Sequence, residues 1–105
     1  MGRVVIVAYK PKAGMEEQLK DLLQTHVALL RQEGLASERK SVQMQAADGT
    51  IVEVFEWCSS AAIEQAHHNQ IVQNMWQKFA EVCEFVPVST VAETDQLFSE
   101  FSPLN

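Results

Sequence analysis

Apolar residues recur along this chain with two different periods. Arg3–Lys10 (RVVIVAYK) is rich in β-branched side chains and apolar on both alternating faces, Val4, Ile6 and Ala8 on one and Val5, Val7 and Tyr9 on the other. That pattern predicts a strand ending at Pro11 that needs cover on both sides. From Gly14 to about Glu33 the spacing changes to three and four, and Met15, Leu19, Leu22, Leu23, His26 and Leu30 form one stripe of a helix. Glu16 and Glu17 suit its positive N-terminus, and Gly34 suits the position just past its end. A second strand is expected over Glu38–Ala46, a hairpin turn at Asp48-Gly49, and a third strand over Thr50–Trp57.

The third strand alternates Ile51, Glu53, Phe55 and Trp57 against Val52, Val54 and Glu56. Ser59 or Ser60 then caps a short helix with Ile63 and His67 four residues apart on one face. Asn69 caps the next helix, whose stripe is Ile71, Val72, Met75, Trp76, Phe79 and Val82–Cys83. Phe85–Val91 reads as a fourth strand, with Pro87 placing it at a sheet edge or subunit boundary. The order β-α-β-β-α-β predicts an α+β, ferredoxin-like domain with an antiparallel sheet over residues 1–92. Residues 93–105 form a tail whose Leu97, Phe98, Phe101 and Leu104 are expected to pack on the domain or on a partner subunit. The chain has too few helices to cover both faces of the sheet, so a homodimer through the open face is expected.

Composition narrows the function. A chain of 105 residues holds one core, and 47% hydrophobic content excludes disorder. No apolar run approaches the roughly 18 residues of a membrane span, so no membrane partner is expected. Val4–Ala8 is too short for a leader, with Lys10 and Lys12 close behind, and the reading is cytoplasmic. A net charge of −6 without a basic stripe points away from nucleic acid. Cys58 and Cys83 have neither metal nor disulfide spacing and read as small buried hydrophobes. Gly2, Gly14, Gly34 and Gly49 are isolated, so no phosphate loop supports a nucleotide cofactor. Glu64-x-x-His67 is half of a di-iron motif without its second half, and no metal is expected.

Several short motifs resemble the antibiotic biosynthesis monooxygenase family of the dimeric α/β-barrel superfamily. They are the valine-rich first strand, Pro11-x-x-Gly14-x-Glu16-Glu17, Glu33-Gly34, Glu53-x-x-Glu56-Trp57-x-Ser59 and Ala66-His67. The C-terminal FVPVSTVAETDQLFSEFSPL is similar to an uncharacterised bacterial subgroup with a like tail. The resemblance implies two ferredoxin-like subunits packed sheet to sheet as a barrel, each with its own cavity. It also implies cofactor-free oxidation of a small hydroquinone-like or polyketide-like aromatic by O₂. Haem-degrading relatives use a strand Asn and an axial His on the later helix; the first strand here has no Asn, and Ile71–Cys83 has no His.

Cofactor-free oxygenation needs a base in a dry cavity. His67 is the first candidate, its alternative being a structural histidine bonded to a strand carbonyl. His26 is either a cavity-lining donor or a satisfied core histidine. Trp57, Phe55, Trp76 and Phe79 are candidates for an aromatic wall around a small hydrophobic ligand, or else ordinary core. Glu53 and Glu56 lie on opposite faces, so one of them is buried and needs a partner, with Arg39 or Lys40 on the neighbouring strand as candidates; left unpaired in the cavity it becomes a functional group, and Glu53, beside Phe55 and Trp57, is the candidate for contact with a substrate. Two other functional classes remain open: a non-catalytic or stress-related binding module, and a small-acid isomerase or lyase with Arg39 as its cation.

Overall fold

The computed structural model describes all residues, 1–105. Its elements are β1 (Arg3–Pro11), α1 (Glu16–Gln32), β2 (Val42–Gln45), β3 (Ile51–Trp57), α2 (Ser60–Ala66), α3 (Gln70–Val82), β4 (Cys83–Val86) and β5 (Ser102–Pro103). The sheet order is β4-β1-β3-β2-β5, antiparallel throughout, and its first four strands have the arrangement of a ferredoxin-like fold.

Helix α1 ends where its sequence demands. Gly34 takes a φ of 75°, its N–H donates to the Arg31 carbonyl, and the Leu35 N–H donates to the Leu30 carbonyl. That pair of bonds is a Schellman closure, and Leu30 and Leu35 both join the core. The start differs from expectation: Met15 is an exposed N-cap residue, so the inward stripe begins at Leu19 and also takes in Val27. At the β2–β3 turn, Gly49 has a φ of 94° and donates to the Ala46 carbonyl, while Asp48 accepts from the Thr50 N–H. Ser59, not Ser60, caps α2 by accepting from the Ala62 N–H, and Asn69 caps α3 by accepting from the Val72 N–H.

Three segments depart from the sequence reading. The second strand shrinks to Val42–Gln45, because Arg31 draws the chain before it into a loop by donating to the carbonyls of Ser37 and Arg39. The fourth strand stops at Val86; Pro87 has no N–H to continue the ladder, and Val88–Thr90 turns as a 3-10 helix. The tail adds β5 beside β2, where the Leu104 N–H donates to the Gln43 carbonyl.

The helices cover one face of the sheet, and the main core lies between them. Strand β1 alternates accordingly: Val5, Val7 and Tyr9 face the helices, while Val4, Ile6 and Ala8 face the other way. On that second face Ala8, Ala46, Val52 and Val91 form a smaller cluster, supported by Phe101. Val4, Ile6 and Val42 are left about half in water at 56%, 54% and 48% exposure. No helix is long and apolar enough to cross a membrane.

Candidate functional site

Between sheet and helices lies a cavity of about 360 Å³, within the usual range of small-ligand pockets, about 300–1,000 Å³. Val5, Val7 and Tyr9 of β1, Phe55 and Trp57 of β3, and Phe85 of β4 line it from the sheet. His26 of α1, Ile63 of α2 and Trp76 of α3 line it from the helices. Strand register sets the sheet side, pairing Val5 with Phe55, Val7 with Glu53 and Tyr9 with both Ile51 and Phe85.

Directly behind this lining is a buried polar network centred on Glu53, which has no exposure at all. Glu53 Oε1 lies 2.8 Å from His26 Nδ1 and accepts from the Tyr9 hydroxyl, also at 2.8 Å. Glu53 Oε2 accepts from Gln43 Nε2 at 2.8 Å. The Gln43 amide nitrogen donates as well to the Leu23 carbonyl at 2.9 Å, which fixes which way the amide faces. The Tyr9 hydroxyl and the Gln43 amide both donate to this carboxyl, one to each oxygen, an arrangement that suits its acceptor-only form. Against such a carboxylate the neutral imidazole is favoured with its proton on Nδ1, the tautomer whose Nε2 is an acceptor. No protein group bonds Nε2, and His26 lines the cavity.

Burial holds the Tyr9 phenol far above its ordinary value, and the charge and hydrogen bond of Glu53 act in the same direction. Tyr9 therefore remains a neutral donor across the working pH range. Its ring stacks on Phe79 at 5.4 Å, and Phe79 also meets the His26 ring edge-on at 5.2 Å. Phe79 thus backs the network without lining the cavity.

The expected site residues are placed as follows. Trp57, Phe55, Trp76 and His26 share the cavity, and Glu53 grips His26 from behind. His67 stands outside it. Helix α2 ends at Ala66, so His67 is its exposed C-cap, with Nδ1 2.8 Å from the Ile63 carbonyl of its own helix rather than a strand carbonyl. Its ring meets Trp76 edge-on at 5.3 Å, from outside the lining.

The partners expected for the buried glutamate are also corrected. Arg39 pairs with Glu56 at 3.2 Å on the opposite face, and the Ser37 hydroxyl donates to the same carboxyl, so Glu56 titrates below its usual range. Arg39 therefore brings no cation to the cavity. Cys58 is exposed rather than buried, whereas burial pushes the Cys83 thiol up to about 11. Glu64 reaches the exposed His68 at 3.4 Å, and no group of three His, Cys, Asp or Glu side chains is placed to hold a metal ion.

Sequence reasoning passed over Tyr9, Gln43, Val5, Val7, Ile63 and Phe85. Tyr9, Val5 and Val7 were findable, because they share a face of β1 that strand pairing sets beside Glu53 and Phe55. Gln43 lies directly opposite Glu53 in the β2–β3 register, a pairing that the Gly49 turn determines.

The solved structure of Rv0793 from Mycobacterium tuberculosis is similar in fold, with a TM-score of 0.65 and 19% identity over 82% of this chain and 89% of that one. No protein-family model matches the chain, and no curated protein matches it.

Proposed function

We propose that this chain is a cofactor-independent monooxygenase, with His26 as the base and a small aromatic bearing one acidic hydroxyl as substrate. The observation that carries the reading is that His26 lines a largely apolar cavity while its Nδ1 is held at 2.8 Å by the buried Glu53 carboxyl and no protein group bonds its Nε2. A buried carboxylate behind Nδ1 selects the tautomer that accepts at Nε2 and stabilises the imidazolium formed when it does. Phe55, Trp57 and Trp76 offer faces and edges for a planar ring.

In this mechanism Nε2 takes the hydroxyl proton of a naphthol-like substrate. The electron-rich anion passes one electron to O₂, and the two radicals combine at the ring carbon para to the oxygen. His26 returns its proton to the peroxide, which loses water as the carbon's own hydrogen leaves. The product is a quinone: one oxygen atom of O₂ is in the carbonyl, the other in water, and the substrate has supplied every electron. His67, outside the cavity, has no part in this scheme.

The test uses chelator-treated protein with 1-naphthol under ¹⁸O₂. One O₂ consumed per quinone formed, with one labelled oxygen in the product, is expected. Hydrogen peroxide as the only reduced product, or no uptake with any hydroquinone, naphthol or anthrone, contradicts the reading. A binding module is the second reading, favoured by a lining that is aliphatic or aromatic at every residue but His26; it expects the same naphthol to bind tightly and leave unchanged.

The same proposal includes a homodimer through the open sheet face. Ile6 and Val42 both flank Val54 in register, so the half-exposed side chains form one patch that a second copy would cover.

A further inference from the structure

Gln43 occupies an unusual position for a strand residue. Its side chain bridges the two layers of the fold, from the Leu23 carbonyl of α1 to Glu53 Oε2 of β3. Its main chain is held from the other side by the tail: its N–H donates to Asn105 Oδ1 at 3.0 Å, and its carbonyl accepts from the Leu104 N–H at 2.8 Å. Asn105 also donates to the Ser41 carbonyl at 3.0 Å, so one exposed side chain holds both β2 and the residue just before it. Strand β2 has only four residues and would otherwise be a sheet edge.

We infer that Gln43 is a positioning residue for the His26–Glu53 pair, and that the segment Ser102–Asn105 holds it in place. Glu53 can swing about its side-chain torsions unless both oxygens are engaged. Tyr9 and His26 share Oε1, and Gln43 alone engages Oε2. Without Gln43 the carboxyl loses its one bond from the β2 side and is free to rotate or to take a proton. A protonated Glu53 donates to Nδ1, the imidazole proton moves to Nε2, and the cavity then faces a donor instead of an acceptor. The tail thus acts on the cavity through a chain of three contacts without touching a ligand. The inference rests on the reading of His26 as the group presented to substrate, but its test does not require turnover.

The test is ¹⁵N–¹H NMR of the His26 imidazole in ligand-free protein, comparing wild type with Gln43→Leu, Asn105→Ala and Met44→Ala. Wild type is expected to show one tautomer, protonated at Nδ1. Gln43→Leu is expected to show a mixture or the opposite tautomer, and Asn105→Ala a smaller shift in the same direction. Met44 lies on the other face of β2, so Met44→Ala loosens packing there and is expected to keep the wild-type signature. Gln43→Leu is further expected to weaken 1-naphthol binding about tenfold, measured by tryptophan quenching. A wild-type tautomer in Gln43→Leu overturns the positioning role. An unchanged spectrum in Asn105→Ala overturns the part given to the tail, and an equal change in Met44→Ala reduces both to general strand stability. Failure of the oxygenase reading would leave these spectra as they are.

Discussion

Tyr9 is the residue whose environment makes the sharpest claim about titration. Its phenol is buried against a carboxylate and stays protonated in the folded state, whereas in the unfolded chain it ionises near its ordinary 10.0. A raised native value means that its contribution to stability is complete below pH 10 and is lost as pH climbs further. Cys83 adds the same sign from its ordinary 9.0 up to about 11. Wild type is therefore expected to lose urea resistance steadily above pH 9. Tyr9→Phe should be less stable by about 1.5–3 kcal/mol at pH 8, the worth of a hydrogen bond to a charged group, with the deficit narrowing above pH 10. A deficit that stays constant to pH 11 would count against the buried Tyr9–Glu53 bond. Legibility at this scale was partial. His26 and Glu53 each stood out, one polar residue in an apolar stripe and one carboxylate on an apolar strand face. Their pairing did not, because helix-to-strand registration over 27 positions is set by packing and not by any local pattern. His67 looked central only on the assumption that its helix ran through it; the helix stops one residue earlier and its side chain folds back on Ile63.

At the scale of elements, caps and turns were readable because each rests on neighbours in sequence. Gly34, Asp48-Gly49 and Asn69 occupy the places their chemistry predicts. Asn69 does more than cap α3, since its amide also donates to Glu33 at the end of α1 at 3.0 Å and ties two helices together. Asn69→Ala is expected to cost about 1–2 kcal/mol, read from the urea midpoint, whereas Asn69→Asp keeps the cap and should cost less. Equal losses in the two variants would show that the link to Glu33 outweighs the cap. The strand ends were less readable. What trims β2 is Arg31 reaching from α1 to two carbonyls, a tertiary bond with no signature along Glu38–Ser41. Pro87 was identified as a sheet-edge signal, and β4 is an edge strand, yet the chain turns there instead of continuing.

For the molecule as a whole, the two-sided apolar pattern of β1 was the most telling signal. One side builds the cavity, and the other leaves a patch of Val4, Ile6 and Val42 that nothing in the single chain covers. Sedimentation is expected to give twice the 11.8 kDa chain mass, and Ile6→Lys, aimed at the patch centre, is expected to shift it toward monomer with the fold intact by circular dichroism. A wild-type monomer at high micromolar concentration would contradict the proposed dimer while leaving the cavity untouched.

The central claim is that His26, and not His67, activates a substrate held in that cavity. Its most direct test is oxygen uptake with 1-naphthol by wild type, His26→Ala and His67→Ala, each confirmed folded. The account predicts a fall of about 10²–10⁴-fold in His26→Ala, the span of a lost general base, and near wild-type uptake in His67→Ala. Uptake that survives in His26→Ala, or that vanishes only in His67→Ala, would contradict it.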